Sequence, residues 1–286
     1  MDWLSMVESK VKELAEGTDR VKASAFFQEY LQAAAMFWQY SWHNQMLIRM
    51  QCEKASKVAG FRKWKTLGRK VRSGEKSIRI LAPAIKKVKK EEEEEIITSF
   101  LAVCVFDISQ TEGKPLPEPE VEVKGDDRQD LLDKLMGFCN ERNIAVEFKT
   151  FRPGYYGAST GGKIFIDDSQ PINGKISILL HEIAHELLHK DAKDLTRQQR
   201  EIQAEGTAFV VSQALGLESK AFNYLALYDA DYKKIMENMK AISEASREIL
   251  SFISTTQNHP EFCVMRLGLQ PGKKSTLGSF DIRTES

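Results

Sequence analysis

The chain has 286 residues, 42% of them hydrophobic, which is long enough for two ordinary domains and too apolar for general disorder. Lysine plus arginine and aspartate plus glutamate both number 41, so the net charge of zero selects no partner; any electrostatic preference must come from how the charges are distributed. The four cysteines, Cys52, Cys104, Cys139 and Cys263, lie far apart without C-x-x-C spacing, which argues against a cysteine zinc site and a secreted disulfide scaffold and predicts buried free thiols.

The opening stretch MDWLSMVESKVKELAEGTDR is charged and lacks an apolar signal-peptide core. Leu4, Val7, Val11 and Leu14 keep helical spacing and predict an amphipathic helix over residues 3–15. No apolar run approaches the roughly 20 residues that span a bilayer, so a soluble, cytoplasmic protein with no membrane contact is expected. Residues 20–52 read as helical with a break near Ser41, and the rings from Phe26 to Trp42 read as its packed core. His43 reads as a packed or surface histidine.

From Gly60 the texture changes. SIRILAP alternates polar and apolar residues before Pro83 and predicts a strand; IITSFLAVCVFDIS reads as a more buried strand, and KKVKKEEEEE between them as a solvated hairpin tip or loop with no assigned function. Residues 54–90 hold fourteen lysines and arginines against one acid, Glu75. A local excess of that size on a neutral chain suits phosphate-backbone binding. Arg62, Lys63, Lys65, Arg69, Lys70, Arg72, Lys76 and Arg79 are the candidate contacts. Phe61 and Trp64 interleave with them, and aromatic faces among cations suit single strands, whose bases are free to stack. A solvated basic face beside a compensating acidic loop is the plainer alternative.

Residues 109–127 carry three prolines and several acids and read as a linker. RQDLLDKLMGFCNERN then predicts a helix, and AVEFKTF and GGKIFIDD predict strands, with RPGYYGAST as the turn between them. Helices follow over about 173–190 and 196–215, then a long amphipathic one in YKKIMENMKAISEASREILSFI, and the tail after Thr255 reads as loose.

Three of the five histidines fall within HEIAHELLH, residues 181–189. On a helix, His181 and His185 lie one turn apart on one face, the spacing two zinc ligands need. Glu182 is offset by about 100°, placed to take a proton from water without itself ligating. Ile178, Leu179, Ile183, Ala184, Leu187 and Leu188 would bury most of that helix, where bare imidazoles are unfavourable unless each finds a partner. A hydrogen-bonded pair of core histidines is the alternative.

A catalytic zinc takes three protein ligands and a water. His189 is two turns, about 12 Å, from His181, so one straight helix cannot bring all three rings to one ion. That makes His189 a surface residue or one that supports a ligand from behind. Glu201 and Glu205 in REIQAEGTAF are again one turn apart, on a helix that could pack beside the first. Glu201 is favoured as the third ligand, with Glu205 the alternative or else the residue that orients a ligand histidine. Glu182 would then receive a proton from water activated by one zinc per chain and pass it to a leaving amine. Tyr155 or Tyr156 is a conceivable oxyanion donor, and GGKIFID could dock an extended peptide by edge addition.

SWHNQMLIRMQ, VAGFRKWKTLGRKVRSGEKSIRILAP and VFDISQTEGKPLP together resemble the N-terminal domain of ArdC-type antirestriction proteins. HEIAHELLH with REIQAEGTAFVVSQALGL resembles the zinc metallopeptidase-like domain of the same proteins and of the ImmA/IrrE group. The first resemblance implies a single-stranded-DNA-binding module of mobile genetic elements and phages. The second implies zinc ligands His181 and His185, acid/base Glu182, an acidic third ligand from the Glu201/Glu205 helix, and a narrow protein substrate such as a repressor.

The expectation is therefore an α+β protein with an ArdC-like single-stranded-DNA-binding domain over 1–110, a linker over 111–127, a mainly helical zincin-like domain with a small β-sheet over 128–255, and a tail over 256–286. The expected activity is that of a gluzincin-like zinc metalloendopeptidase. The rival reading is an antirestriction DNA-binding protein whose zinc site is structural or idle.

Overall fold

Secondary structure in this computed structural model is described for residues 5–9, 12, 20–89, 93–116, 128–190, 192, 194–217 and 232–256. The fold is α+β. Most of the expected helix over 3–15, residues 117–127 of the expected linker, and the tail beyond Thr256 lie outside the described residues.

The aromatic-rich start forms two helices, α1 (Arg20–Met36) and α2 (Trp42–Gln51), and the break falls where expected: Ser41 is extended and its side chain caps α2 by accepting from the Asn44 N–H. Between α2 and α3 (Phe61–Thr66) lies the short β1 (Val58–Ala59), and β2 (Arg69–Val71) follows. A long hairpin, β3 (Ile78–Lys89) and β4 (Glu93–Asp107), pairs antiparallel out to Lys89 and Glu93, so KKVKKEEEEE lies at its far end. The hairpin forms a sheet ordered β1-β4-β3.

Helix α2 completes the outer edge of β3 with side chains. The Asn44 amide donates to the Leu81 carbonyl and accepts from its N–H, both at 2.8 Å; Gln51 does the same for Arg79 at 2.8 and 2.9 Å. Asn44 and Gln51 are two turns apart on one helix face, so a helix stands in for a strand. β3 also runs through Pro83, where a strand end was expected. Pro83 shares the parity of Arg79 and Leu81, whose N–H groups point to this outer edge, so its missing donor breaks no bond to β4. β4 is less buried than its composition suggested: Phe100 and Leu101 are exposed, and Val105 is the part that reaches the core.

β5 (Thr111–Gly113) pairs antiparallel with β2, so the first residues of the expected linker are a strand of the N-terminal unit. Helix α4 (Gln129–Glu141) leads to β6 (Ala145–Lys149), β7 (Gly157–Ser159) and β8 (Lys163–Asp167). Their order is β6-β8-β7, with β6 parallel and β7 antiparallel to β8. The turn region RPGYYGAST thus contains a strand too short to leave a period-two pattern. Helices α5 (Ile172–His189), α6 (Arg197–Ala214) and α7 (Tyr232–Thr256) complete the described chain.

Two cores hold these helices. One packs Leu131, Leu135 and Phe138 of α4 against Ile164 and Ile166 of β8, Leu179 and Ile183 of α5, and Ile249 of α7. The other joins Phe27, Tyr30, Leu31, Trp42 and Leu47 of the first two helices to Ile202 and Val210 of α6 and Met239 and Ile242 of α7. Each fully buried side chain of this size contributes roughly 1.5–3 kcal/mol of transfer free energy. The first fifty residues are therefore part of the packing behind α6. Polar contacts follow the same seam: Tyr30 Oη donates to Met239 O, Gln45 Nε2 lies 3.3 Å from Ser243 Oγ, and Arg247 donates to the carbonyls of Trp38 and Tyr40.

Candidate metal centre

Helix α5 divides into two faces because its apolar and titratable residues alternate with the helical period. Ile176, Leu179, Leu180, Ile183 and Ala184 face the core; His181, Glu182, His185, Glu186 and His189 line a cleft of about 860 Å³. Helix α6 starts on the other side of that cleft. Thr196 caps it by accepting from the Gln199 N–H, Gln199 returns the bond to the Thr196 N–H, and the second turn opens with Glu201.

The rings of His181 and His185 meet with their Nε2 atoms 3.0 Å apart. A Glu201 carboxylate oxygen lies 3.6 Å from the first and 3.9 Å from the second. One donor atom from each of the three residues falls within 4.8 Å of the others. For bonds of ~2.0–2.1 Å, a tetrahedral ion separates its ligands by about 3.3 Å. The three observed separations bracket that edge, so the donor set fits a small divalent ion. Burial pushes the pKa values of His181 and His185 down despite the Glu201 carboxylate, which keeps both rings neutral and able to donate lone pairs.

The surrounding residues hold these groups. His185 Nδ1 is 2.9 Å from His189 Nδ1, and His189 Nε2 is 3.0 Å from Gln203 Oε1, whose amide donates to Asn238 on α7. His189 is buried, with its pKa lowered to about 4 by that burial. Glu205 Oε1 lies 3.4 Å from His181 Nδ1, on the far side of the ring from Glu201. Burial raises the Glu205 pKa, reinforced by the Glu201 charge.

Glu182 sits beside the histidine pair, almost fully buried. Burial pushes its carboxyl up to about 7, against a hydrogen bond from Ser159 of β7 and with the Glu201 and Glu186 charges adding to the rise. Gly157 is where β7 passes closest: a Cβ there would lie 2.5 Å from Ile178 Cγ2 and 3.0 Å from Glu182 Oε1.

Sequence reasoning missed Glu186. Only 7% exposed, it accepts the Gly161 and Gly162 N–H groups at 2.8 and 2.6 Å and pins the β7–β8 turn to α5. Its position one turn beyond Glu182, with a Gly-Gly pair upstream, was the available signal. Gln203 was also missed, because nothing local marks a glutamine as the anchor of a distant histidine. KIFID cannot take an added strand, since β6 and β7 occupy both its edges; the sheet edge nearest Glu182 is β7. Tyr155 and Tyr156 are half exposed and do not line the cleft, so neither is placed as an oxyanion donor.

The basic segment needs correction as well. Trp64 is 1% exposed and its indole N–H donates to Phe106 O at 2.9 Å, so it is core and offers no face to a base. Phe61, three residues earlier at the start of α3, is 55% exposed. Arg69 is tied across the β2–β5 pair to Thr111 and Lys114, and Arg72 to Glu75 and Ser109. Arg62, Lys65, Lys70, Lys76 and Arg79 are exposed, Lys63 is half-buried, and none of the six has an acidic partner among the described residues.

Residues 5–124 match the family model described as the N-terminal domain of anti-restriction factor ArdC, and residues 139–251 match the peptidase-family model described as the IrrE N-terminal-like domain. An uncharacterized protein of Bacillus anthracis is 24% identical over 270 residues, covering 77% of this chain; the chain spans about half of that relative, 46% of its length. Crystal structures of the antirestriction ArdC protein from R388 plasmid are similar at 21% identity. The metal-free form covers 77% of this chain and 87% of that one with a TM-score of 0.49; the Mn(II)-bound form covers 76% and 90% with 0.46.

Proposed function

We propose, from a chain that joins an ArdC N-terminal domain over residues 5–124 to an IrrE-like metallopeptidase domain over 139–251, a one-zinc peptidase coupled to a module that binds single-stranded DNA. The observation that carries the enzymatic half is the convergence of His181, His185 and Glu201 beside a buried Glu182. In this reading the first three hold the ion, Glu205 and His189 orient the two rings, and Glu182 is the acid/base. The chemistry such an ion supplies when bound is Lewis acidity: water becomes deprotonable near neutral pH and a carbonyl becomes electrophilic. Glu182 takes the proton from water at its carboxylate and returns it to the amine that leaves. Ser159 holds that carboxylate in place, and Glu186 fixes the turn that carries the neighbouring strand. The substrate is a protein, with a repressor or other regulator as the proposed class.

The nucleic-acid half rests on cations that have no acidic partner among the described residues. Phe61, Arg62 and Lys65 are exposed on α3, and Lys63, Lys70, Lys76 and Arg79 add charge nearby in sequence. The match over 5–124 also supports the rival reading, protection of DNA by binding alone with an idle metal site.

Comparing wild type with Glu182→Gln separates the two. Protein substrates found by proteome-wide terminal labelling should be cut by wild type and spared by the variant, with about one zinc bound to each. If no substrate is cut and both protect DNA from restriction equally, the binding-only reading replaces the enzyme. Affinity for a single-stranded oligonucleotide should fall steeply with salt, and Arg62→Glu with Lys65→Glu should flatten that dependence.

A further inference from the structure

The cleft that holds Glu182 is not electrically uniform. At one end lie β7 and the Glu186-pinned turn. At the other, where α5 ends and α6 begins, it is lined by Lys190, Arg197 and Arg200. Lys190 and Arg197 are exposed, and none of the three has an acidic partner among the described residues. Arg200 donates through Nη2 to Ala192 O at 2.8 Å, while its Nε is buried without a hydrogen-bond partner among the described residues.

Lys190 caps the C-terminal end of α5, where a cation is favourable, but the two arginines are placed against the local rule. Arg197 and Arg200 occupy the first turn of α6, where the helix end is already positive, and that turn contains no acid. Positive charge there is destabilising. Arg200 is partly compensated by its bond to Ala192 O; Arg197 has no side-chain hydrogen bond or ion pair among the described residues, and uncompensated breaks of a local rule are expected at functional or strained sites. Arg197 is four residues before Glu201 on the same face, so its Cα stands about 6 Å along the axis from that of the proposed ligand.

We propose that Lys190, Arg197 and Arg200 form a specificity subsite that selects an acidic side chain, aspartate or glutamate, near the bond to be cut in the protein substrate. This rests on the peptidase reading of the same cleft. An acidic peptide fits better than a nucleic acid because the same cleft wall carries Glu182 and Glu201, which would repel a continuous row of phosphates but leave room for one carboxylate beside three cations.

The test uses the full-length, zinc-loaded Glu182→Gln chain as a trap for a displayed random-peptide library, so that selection is read from binding. Retained peptides should be enriched at least tenfold in aspartate and glutamate at one fixed position. Adding Arg197→Glu should abolish that preference or turn it toward lysine and arginine, with zinc content unchanged and the thermal midpoint equal or higher. Lys190→Glu, which removes no side-chain hydrogen bond or ion pair among the described residues, is the second variant and should weaken the preference in the same direction. Retention without an acidic preference, or no retention at all, overturns the subsite. So does a tenfold loss of single-stranded oligonucleotide binding in Arg197→Glu with peptide selection unbiased. Cleavage of the selected peptides by the chain with Glu182 intact is scored separately. A clear acidic preference without cleavage would refute the peptidase reading and leave the anion subsite standing.

Discussion

At the scale of single residues, the site depends on groups whose burial opposes their charge. Glu182, held near 7, shows this most clearly. Its folded pKa lies above the ordinary carboxylate value, so the folded state binds more protons between about 4.5 and 7, and metal-free stability falls as pH rises through that window. Glu182→Gln should therefore melt at a higher temperature than wild type above pH 7 and at nearly the same temperature below pH 4.5, measured by calorimetry after chelation. The same variant should lose about 10²–10⁴-fold in peptidase rate. The two carboxylates of α6 should also separate. Glu201→Ala should lose stoichiometric metal, whereas Glu205→Ala should keep the ion with affinity lowered about 10–100-fold, read by competition with a chelating dye. The opposite pattern would exchange their roles.

Among secondary elements, the strand edges are where small changes carry far. Asn44 is buried and completes the outer edge of β3 at Leu81 with two bonds. Asn44→Ala strands both backbone groups and should cost about 1–3 kcal/mol in denaturant unfolding. Gly113 has a φ of 131°, and a Cβ there would lie 2.4 Å from Gly68 O and 2.9 Å from Arg69 Cα. Neither backbone atom can give way, so Gly113→Ala should open the β2–β5 pair that Arg69 bridges. Gly157→Ala acts on the catalytic side. Its Cβ would press on Ile178 and on the Glu182 carboxylate, so peptidase rate should fall while zinc stays bound.

For the molecule as a whole, the boundary that composition suggests at residues 109–127 does not separate two cores. Helices α1 and α2 lie against α6 and α7, and Gly206 of α6 lets Ile242 and Leu31 approach where the three meet. Glu201 and Glu205 are on that same α6. Residues 128–256 expressed alone should therefore expose the face that α1 covers and aggregate or bind hydrophobic dye. The intact chain should unfold in one calorimetric transition. Two well-separated transitions would show that the helices pack without sharing stability. No helix among the described residues is long and apolar enough to cross a membrane.

What could be read from sequence was what repeats locally. The H-E-x-x-H spacing sets two rings and an acid on one helix because the helical period does so in any context, and the apolar spacing around it marked the buried face. The bounds of α5 and α6 and the existence of strands β3 and β4 were legible because they too rest on local periodicity, whereas the short helix α3 left no such trace. Tertiary structure decided whatever depends on residues distant in sequence. It placed Glu201 against both rings while Glu205 met only His181, buried Trp64 under the Phe106 carbonyl, tied Arg69 and Arg72 into the fold, and set Gln203 behind His189. A short strand such as β7 and an anchor such as Glu186 leave no periodic trace. Their partners come from other elements, and a side chain is free to bind a ligand only after packing has left it without one.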